Sequence, residues 1–74
     1  MKAFVEISTD SENEEAVVNE IERMKEIESV TTIREEFNIV ARLHDESFSQ
    51  LNLILETINR LEGVRASKPV LIPT

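Results

Sequence analysis

The 74-residue sequence has no cysteine, tryptophan or tyrosine, and only one glycine and two prolines. Without cysteine, neither a disulfide nor a thiolate metal site can stabilise the chain. No apolar run approaches the roughly 18 residues that a membrane span needs, and the sequence shows no signal peptide. We therefore expect a soluble cytoplasmic protein of a single domain. Its small core favours self-association as a further source of stability.

Basic residues are also scarce, with 8 Lys and Arg against 15 Asp and Glu and a formal net charge of −7. Direct binding of nucleic acid needs a basic surface, so we expect none. Most of the acidic residues fit solvated helix faces. The exception is the adjacent pair Glu35 and Glu36 in "IREEFNIVARL", at a predicted hairpin turn. A tight hairpin normally carries Gly, Asn or Asp at such a position.

Hydrophobic periodicity predicts the element order β-α-β-β-α-β. The predicted strands cover residues 3–7, 30–34, 37–43 and 64–72. The first helix should begin near Glu12 and the second at Asp45 or Ser47, because two Ser-x-x-Glu/Gln spacings, 11–14 and 47–50, match a capping box. The predicted buried helix positions are Val17, Val18, Ile21, Met24 and Ile27, then Phe48, Leu51, Ile54, Leu55, Ile58 and Leu61.

Two residues near the end of the chain constrain its last strand. Gly63 follows the second helix pattern and is predicted to end that helix in the left-handed conformation. Pro69 cannot donate a hydrogen bond to a neighbouring strand, so the last strand should lie at an edge of the sheet or be interrupted at this residue.

A weak internal repeat supports two similar halves, since "IESV" at 27–30 matches "LEGV" at 61–64. Two β-α-β halves indicate an α+β ferredoxin-like fold, in which both helices cover one face of a four-stranded antiparallel sheet. The first and third strands would be central. Their helix-facing residues would be Ala3, Val5, Ile7, Phe37, Ile39, Ala41 and Leu43. Their residues on the other face would be Phe4, Glu6, Asn38, Val40, Arg42 and His44.

The sheet face away from the helices is too apolar to remain exposed to water. A second sheet packed on it would form a dimeric α/β sandwich, in which Glu6 and Arg42 neutralise each other. The predicted interface residues are Phe4, Glu6, Ile33, Val40, Arg42 and Leu71.

Four stretches of the sequence resemble the RAM domain, the C-terminal effector and oligomerisation module of the Lrp/AsnC transcription regulators. They are "AFVEIST", "EIESVTTI", "FNIVARL" and "INRLEGVRASKPVLI", in the order and spacing of that family and over nearly the whole chain. The resemblance implies a single RAM domain over residues 1–74 without a DNA-binding domain, assembled as dimers or higher oligomers. Its partners would be an amino-acid-type effector and a related regulator that carries a DNA reader.

The same resemblance places effector binding at Arg34, Glu35, Glu36, Phe37 and Asn38, which match the family segment Thr-Gly-x-Tyr-Asp. Phe37 keeps the aromatic position, whereas Glu35 replaces the Gly and Asn38 replaces the Asp. Glu35 either restores the lost charge or fills the pocket with its side chain. Two alternatives remain for this segment: a solvated, longer turn without ligand, or an oligomer contact alone.

Other functions find little support in the sequence. His44 is the single histidine, and no second histidine or cysteine accompanies it to hold a metal. We predict no metal, no cofactor and no catalytic residues, because nucleophile and phosphate-loop motifs are absent. The main alternative to a ligand-sensing module is a purely structural association domain with a decayed effector site. A small dimeric ferredoxin-like enzyme is the second alternative, although a uniformly apolar helix-facing layer predicts a filled core without a cavity.

Overall fold

The computed structural model describes residues 1–73. Its elements are the strands β1 (Lys2–Thr9), β2 (Ile27–Thr32), β3 (Ile39–Leu43) and β4 (Val64–Ile72), the helices α1 (Glu14–Glu22) and α2 (Leu51–Asn59), and a 3₁₀ helix (Asp45–Gln50) that leads into α2. The four strands form one antiparallel sheet in the order β2-β3-β1-β4. This arrangement confirms the ferredoxin-like βαββαβ fold, with β1 and β3 at the centre.

The core lies between the sheet and the two helices. Alternate residues of the two central strands are buried there, as predicted: Ala3, Val5, Ile7, Ile39, Ala41 and Leu43. The helices contribute Val17, Ile21, Ile54 and Ile58. Each large side chain in this layer contributes about 1.5–3 kcal/mol by leaving water. The apolar alternation of two strands therefore determines which face of the sheet the helices cover.

Helix α1 is shorter than predicted, and the capping box between Ser11 and Glu14 does not form. The carboxylate of Asp10 instead accepts hydrogen bonds from the Asn13 backbone N–H at 3.0 Å and from its Nδ2 at 2.8 Å. At the other end the helix stops at Glu22. Ile27 is buried, but as the first residue of β2. The prediction of β2 at 30–34 was thus too late in the chain, because residues 23–26 already turn the chain back to the sheet.

The segment before α2 is a 3₁₀ helix, not the predicted first turns of an α-helix. Neither Asp45 nor Ser47 caps a helix through its side chain, and Ser47 is buried instead. Phe48, predicted on the buried face, is 37% exposed. A 3₁₀ helix has three residues per turn, so it rotates side chains away from the positions that an α-helical repeat predicts.

Gly63 adopts φ +91°, the predicted left-handed conformation. It does not end the helix as predicted, because α2 ends at Asn59 with Arg60 as its C-cap. It also packs closely against the start of α1: a Cβ at Gly63 would lie 2.3 Å from the Asn13 Cβ. The Gly63 carbonyl accepts a hydrogen bond from the Asp10 N–H at 3.3 Å. Strand β4 then runs along β1 alone, so the prediction that Pro69 marks an edge strand is confirmed. Within residues 1–73, no helix is long and apolar enough to cross a membrane.

Candidate functional site

The β2–β3 loop, residues 33–38, is a wide connection and not the tight hairpin that the sequence predicted. The Ile33 N–H donates to the Asn38 carbonyl at 2.9 Å and closes the base of the loop. Arg34, Glu35 and Glu36 are exposed, and none of them forms a hydrogen bond or ion pair with the other described residues. Among residues 1–73, no residue other than glycine has positive φ. The two glutamates therefore occupy a loop whose backbone does not require glycine.

The side chain of Asn38 connects the end of this loop by hydrogen bonds to β1 and α1. Its Oδ1 accepts a hydrogen bond from the Thr9 N–H at 2.9 Å, and its Nδ2 donates to the Thr9 Oγ1 at 2.9 Å. The same Nδ2 donates to the Glu14 Oε1 at 2.6 Å. The side chain therefore turns toward the end of β1 and the start of α1. Its predicted place on the face away from the helices is wrong.

Phe37 also lies on the side opposite to the predicted one. Its ring is half-buried, and the Lys68 Nζ is 4.6 Å from the ring centroid. Lys68 pairs with Glu6, which points away from the helices. The prediction placed Phe37 in the helix-facing layer because it assumed that β3 begins at residue 37. The strand begins at Ile39, and the alternation does not extend back through the loop.

The sheet face away from the helices, called the uncovered face below, is built from cross-strand neighbours. Residues directly opposite each other in antiparallel strands share a face. Phe4 pairs with Arg42 and Val70, Glu6 with Val40 and Lys68, and Val40 with Thr31. Beyond the end of β2, Ile33 is 41% exposed.

Leu71 does not belong to the uncovered face. It pairs with Ala3, which is buried under the helices, so the register puts Leu71 on the helix-covered side. The prediction assumed that Leu71 continues the apolar surface around Phe4. Val70, which pairs with Phe4, takes that place.

The charged groups of the uncovered face are paired within the chain. Lys68 Nζ lies 3.5 Å from Glu6 Oε1, and Arg42 Nε lies 3.2 Å from Glu28 Oε2. The Arg42 Nε is buried and its N–H makes no hydrogen bond with the described residues, so charge attraction alone holds the second pair. Glu28 falls where the β2 register shifts between Ile27 and Ser29. A bulge of this kind changes the direction of a side chain.

Further contacts complete this arrangement. The Arg42 guanidinium carbon lies 5.9 Å from the centroid of the Phe4 ring. His44 Nδ1 lies 3.6 Å from Glu28 Oε1. Glu6 and Arg42 thus each have a partner in their own chain, and the predicted Glu6–Arg42 pair is not needed to neutralise them.

Several of these contacts involve residues that the sequence analysis did not assign to the site. Lys68 and Val70 are two residues apart in β4 and therefore lie on the same face. The register of β4 against β1 then places Lys68 on the uncovered face. Thr9 and Glu14 meet Asn38 from far along the chain, and no local pattern signals that contact. Within residues 1–73 there is no enclosed pocket and no group of three or more His, Asp or Glu side chains suited to a metal.

The Lrp/AsnC ligand binding domain model matches residues 2–71. The chain belongs to this family. The predicted RAM domain is thereby confirmed, and with it membership of a family of regulatory, non-enzymatic domains. No curated protein sequence matches this RAM domain significantly.

Solved structures show the same fold. TTHA0845 from Thermus thermophilus superposes with a TM-score of 0.88 at 22% identity, covering 99% of this chain and 92% of that one. The hypothetical protein PHS023 from Pyrococcus horikoshii gives 0.79 at 17% identity, with 99% and 90% covered. PH0061 gives 0.74 at 27% identity, and the RAM domain covers 52% of that chain. The fold thus occurs both in chains of similar length and as about half of a longer one.

Proposed function

We propose that this RAM domain is a small cytoplasmic regulatory module that senses an amino-acid-type effector and modulates Lrp/AsnC-type transcription regulators without binding DNA itself. It self-associates through the uncovered face and binds the effector at the β2–β3 loop. The single observation that carries the proposal is the family match over residues 2–71.

The composition of the uncovered face supports association with a second copy. Phe4, Val40 and Val70 are only half-buried in the single chain, although large apolar side chains gain by leaving water. Glu6 and Arg42 are already paired, so covering them would not leave an isolated charge in the interface. Two such faces packed together give a dimeric sandwich, and the family resemblance favours further assembly of dimers.

Light scattering at micromolar concentration tests the association. We expect a mass of at least twice the 8.5 kDa of the chain. A monomer over the whole concentration range would contradict it.

The β2–β3 loop offers a binding surface for a cation. Arg34, Glu35 and Glu36 are exposed and have no partner within residues 1–73, and the two carboxylates favour an ammonium group or a basic side chain. Because the described part of the single chain encloses no pocket, the ligand would be covered by a neighbouring dimer.

A thermal-shift screen against the twenty amino acids tests effector binding, because a ligand that binds only the folded state raises the melting temperature. For an amino acid that raises it, Glu35→Gln should weaken binding by about 1–3 kcal/mol, the range for a lost charge-assisted hydrogen bond. The fold and the oligomeric mass should not change. If Glu35→Gln binds the amino acid with unaltered affinity, Glu35 does not contact the ligand.

Direct DNA binding is not part of the proposed function. At a net charge of −7, the protein is repelled by phosphate and has no basic patch that could release counterions. A gel shift with the isolated protein at physiological salt should show no complex. Sequence-specific binding in that assay would contradict the proposal.

A second candidate, a structural association domain without effector, is favoured by one specific observation. The Asn38 amide makes three hydrogen bonds within the chain, so little of its bonding capacity remains for a ligand. In this case the screen would show no stabilising amino acid while light scattering still showed the oligomer.

A further inference from the structure

The regular alternation of β3 breaks at Asn38, where the β2–β3 loop enters the strand. Ile39 is fully buried under the helices, whereas Phe37 lies against Lys68 on the uncovered face. Residues two apart in a regular strand share a face. The backbone must therefore turn at Asn38 to place its two neighbours on opposite sides of the sheet.

The side chain of Asn38 holds this turn by bonds to two elements. Thr9, at the end of β1, is bonded through both its N–H and its hydroxyl. Glu14, in the first turn of α1, accepts from the amide at 2.6 Å, a short charge-assisted bond. An asparagine side chain has two acceptor sites and two donor hydrogens, so three of the four are in use.

We infer that Asn38 is a positioning residue of the β2–β3 loop and not a ligand contact, with Glu14 as its partner on α1. Through these bonds it directs Phe37 to the uncovered face and leaves Glu35 and Glu36 exposed to solvent. This inference rests on the proposed function, in which the loop receives the effector. It assigns Glu14, outside the loop, to the effector-binding machinery.

The geometry specifies a rescue experiment. Asn38→Asp keeps the size of the side chain, but it replaces the amide donor with a carboxylate oxygen facing the Glu14 carboxylate. Adding Glu14→Gln restores a bond in the reverse direction, because the glutamine amide can donate to Asp. The Thr9 N–H and hydroxyl can still donate to that Asp. Glu14→Gln alone keeps a side-chain oxygen that can accept the hydrogen bond from the Asn38 amide. Glu15→Gln, at an exposed neighbouring residue of α1, is the control for the loss of one negative charge.

Amide hydrogen exchange of the Ile33 N–H is the direct measurement, because this group bonds to the Asn38 carbonyl at the loop base. The His44 N–H, bonded to the Glu26 carbonyl beyond the other end of β3, serves as the reference amide. In Asn38→Asp we expect the protection of Ile33 to fall at least tenfold relative to His44. In the double variant it should return to within about threefold of the wild type, and Glu15→Gln should leave it unchanged.

The effector response is the second readout, with the twenty amino acids as probes. Asn38→Asp should reduce the ligand-induced rise in melting temperature, and the double variant should recover it. If Asn38 only stabilised the fold, Asn38→Asp would lower the melting temperature of the free protein and leave the ligand-induced rise intact. That result would overturn the inference.

The exchange data decide the inference even without a ligand. Unchanged Ile33 protection in Asn38→Asp, or a loss that the double variant does not restore, would overturn it. If no amino acid stabilises the wild type while the exchange rescue succeeds, the proposed effector function fails and the positioning of the loop by Asn38 stands. If Asn38→Asp does not fold, a folded double variant with restored protection supports the inference, and an unfolded one overturns it.

Discussion

Glu35 and Glu36 show that an acidic pair at a chain reversal need not be strained. The β2–β3 loop spreads the reversal over six residues, 33–38, so no residue in it has positive φ. The two carboxylates extend into water without an ion pair to any described residue. Their side chains are thus free to serve recognition.

Replacing Glu35 with glycine should destabilise the protein. Glycine gains more freedom in the unfolded chain and relieves no strain here, so Glu35→Gly should unfold about 0.5–1 kcal/mol more easily than Glu35→Ala. Urea denaturation of the two variants measures the difference, and the alanine variant controls for loss of the carboxylate. A glycine variant more stable than the alanine variant would mean that the loop backbone is strained at this position.

At the scale of the elements, periodicity predicted the faces of β1 and β3 because both strands bury alternate apolar residues. It failed at element ends. The Ser-x-x-Gln spacing near Ser47 predicted an α-helical start, but the segment is a 3₁₀ helix and Phe48 is 37% exposed instead of buried. The alternation around Phe37 was extended into a loop for the same reason: local pattern does not reveal where pairing stops.

The candidate site was predictable only in part. A family resemblance located the loop, but the bonds of Asn38 to Thr9 and Glu14 depend on how distant segments pack. The register of β4 against β1, which separates Val70 from Leu71, follows from pairing that alternation alone does not specify.

Adjacent residues of α2 should differ widely in their contribution to stability. Ile54 is 2% exposed and Leu53 is 59% exposed. Ile54→Ala should cost about 2–5 kcal/mol of unfolding free energy through lost burial and a cavity. Leu53→Ala should change the free energy by less than about 0.5 kcal/mol. Thermal or urea denaturation of both variants measures the contrast, and similar losses would mean that Leu53 is covered in solution.

For the whole molecule, net charge and surface composition have opposite effects on self-association: the charge opposes it and the apolar uncovered face favours it. Two chains at −7 repel each other, and the repulsion is weakest where the charges are already paired. On the uncovered face Glu6 faces Lys68 and Glu28 faces Arg42. The proposed association through this face would thus add apolar contact without opposing unpaired negative charges across the interface.

Phe4→Glu should weaken the proposed dimer at least tenfold. The change removes an aromatic contact that contributes about 1.5–3 kcal/mol and places a carboxylate in an apolar interface. Sedimentation equilibrium gives the dissociation constant. Leu53→Glu is the matched control, because it adds the same charge on the helix layer. Equal effects of the two variants would show that net charge, and not the uncovered face, governs association.

The close packing of Gly63 against Asn13 joins the two βαβ halves of the molecule. A Cβ at residue 63 would overlap the Asn13 side chain, and φ +91° disfavours any other residue there. Among homologous sequences, positions 13 and 63 should therefore vary together. A residue other than glycine at position 63 should occur only where residue 13 is smaller or the first helix begins elsewhere. The packing between the two halves would then be visible as covariation of these positions within the family.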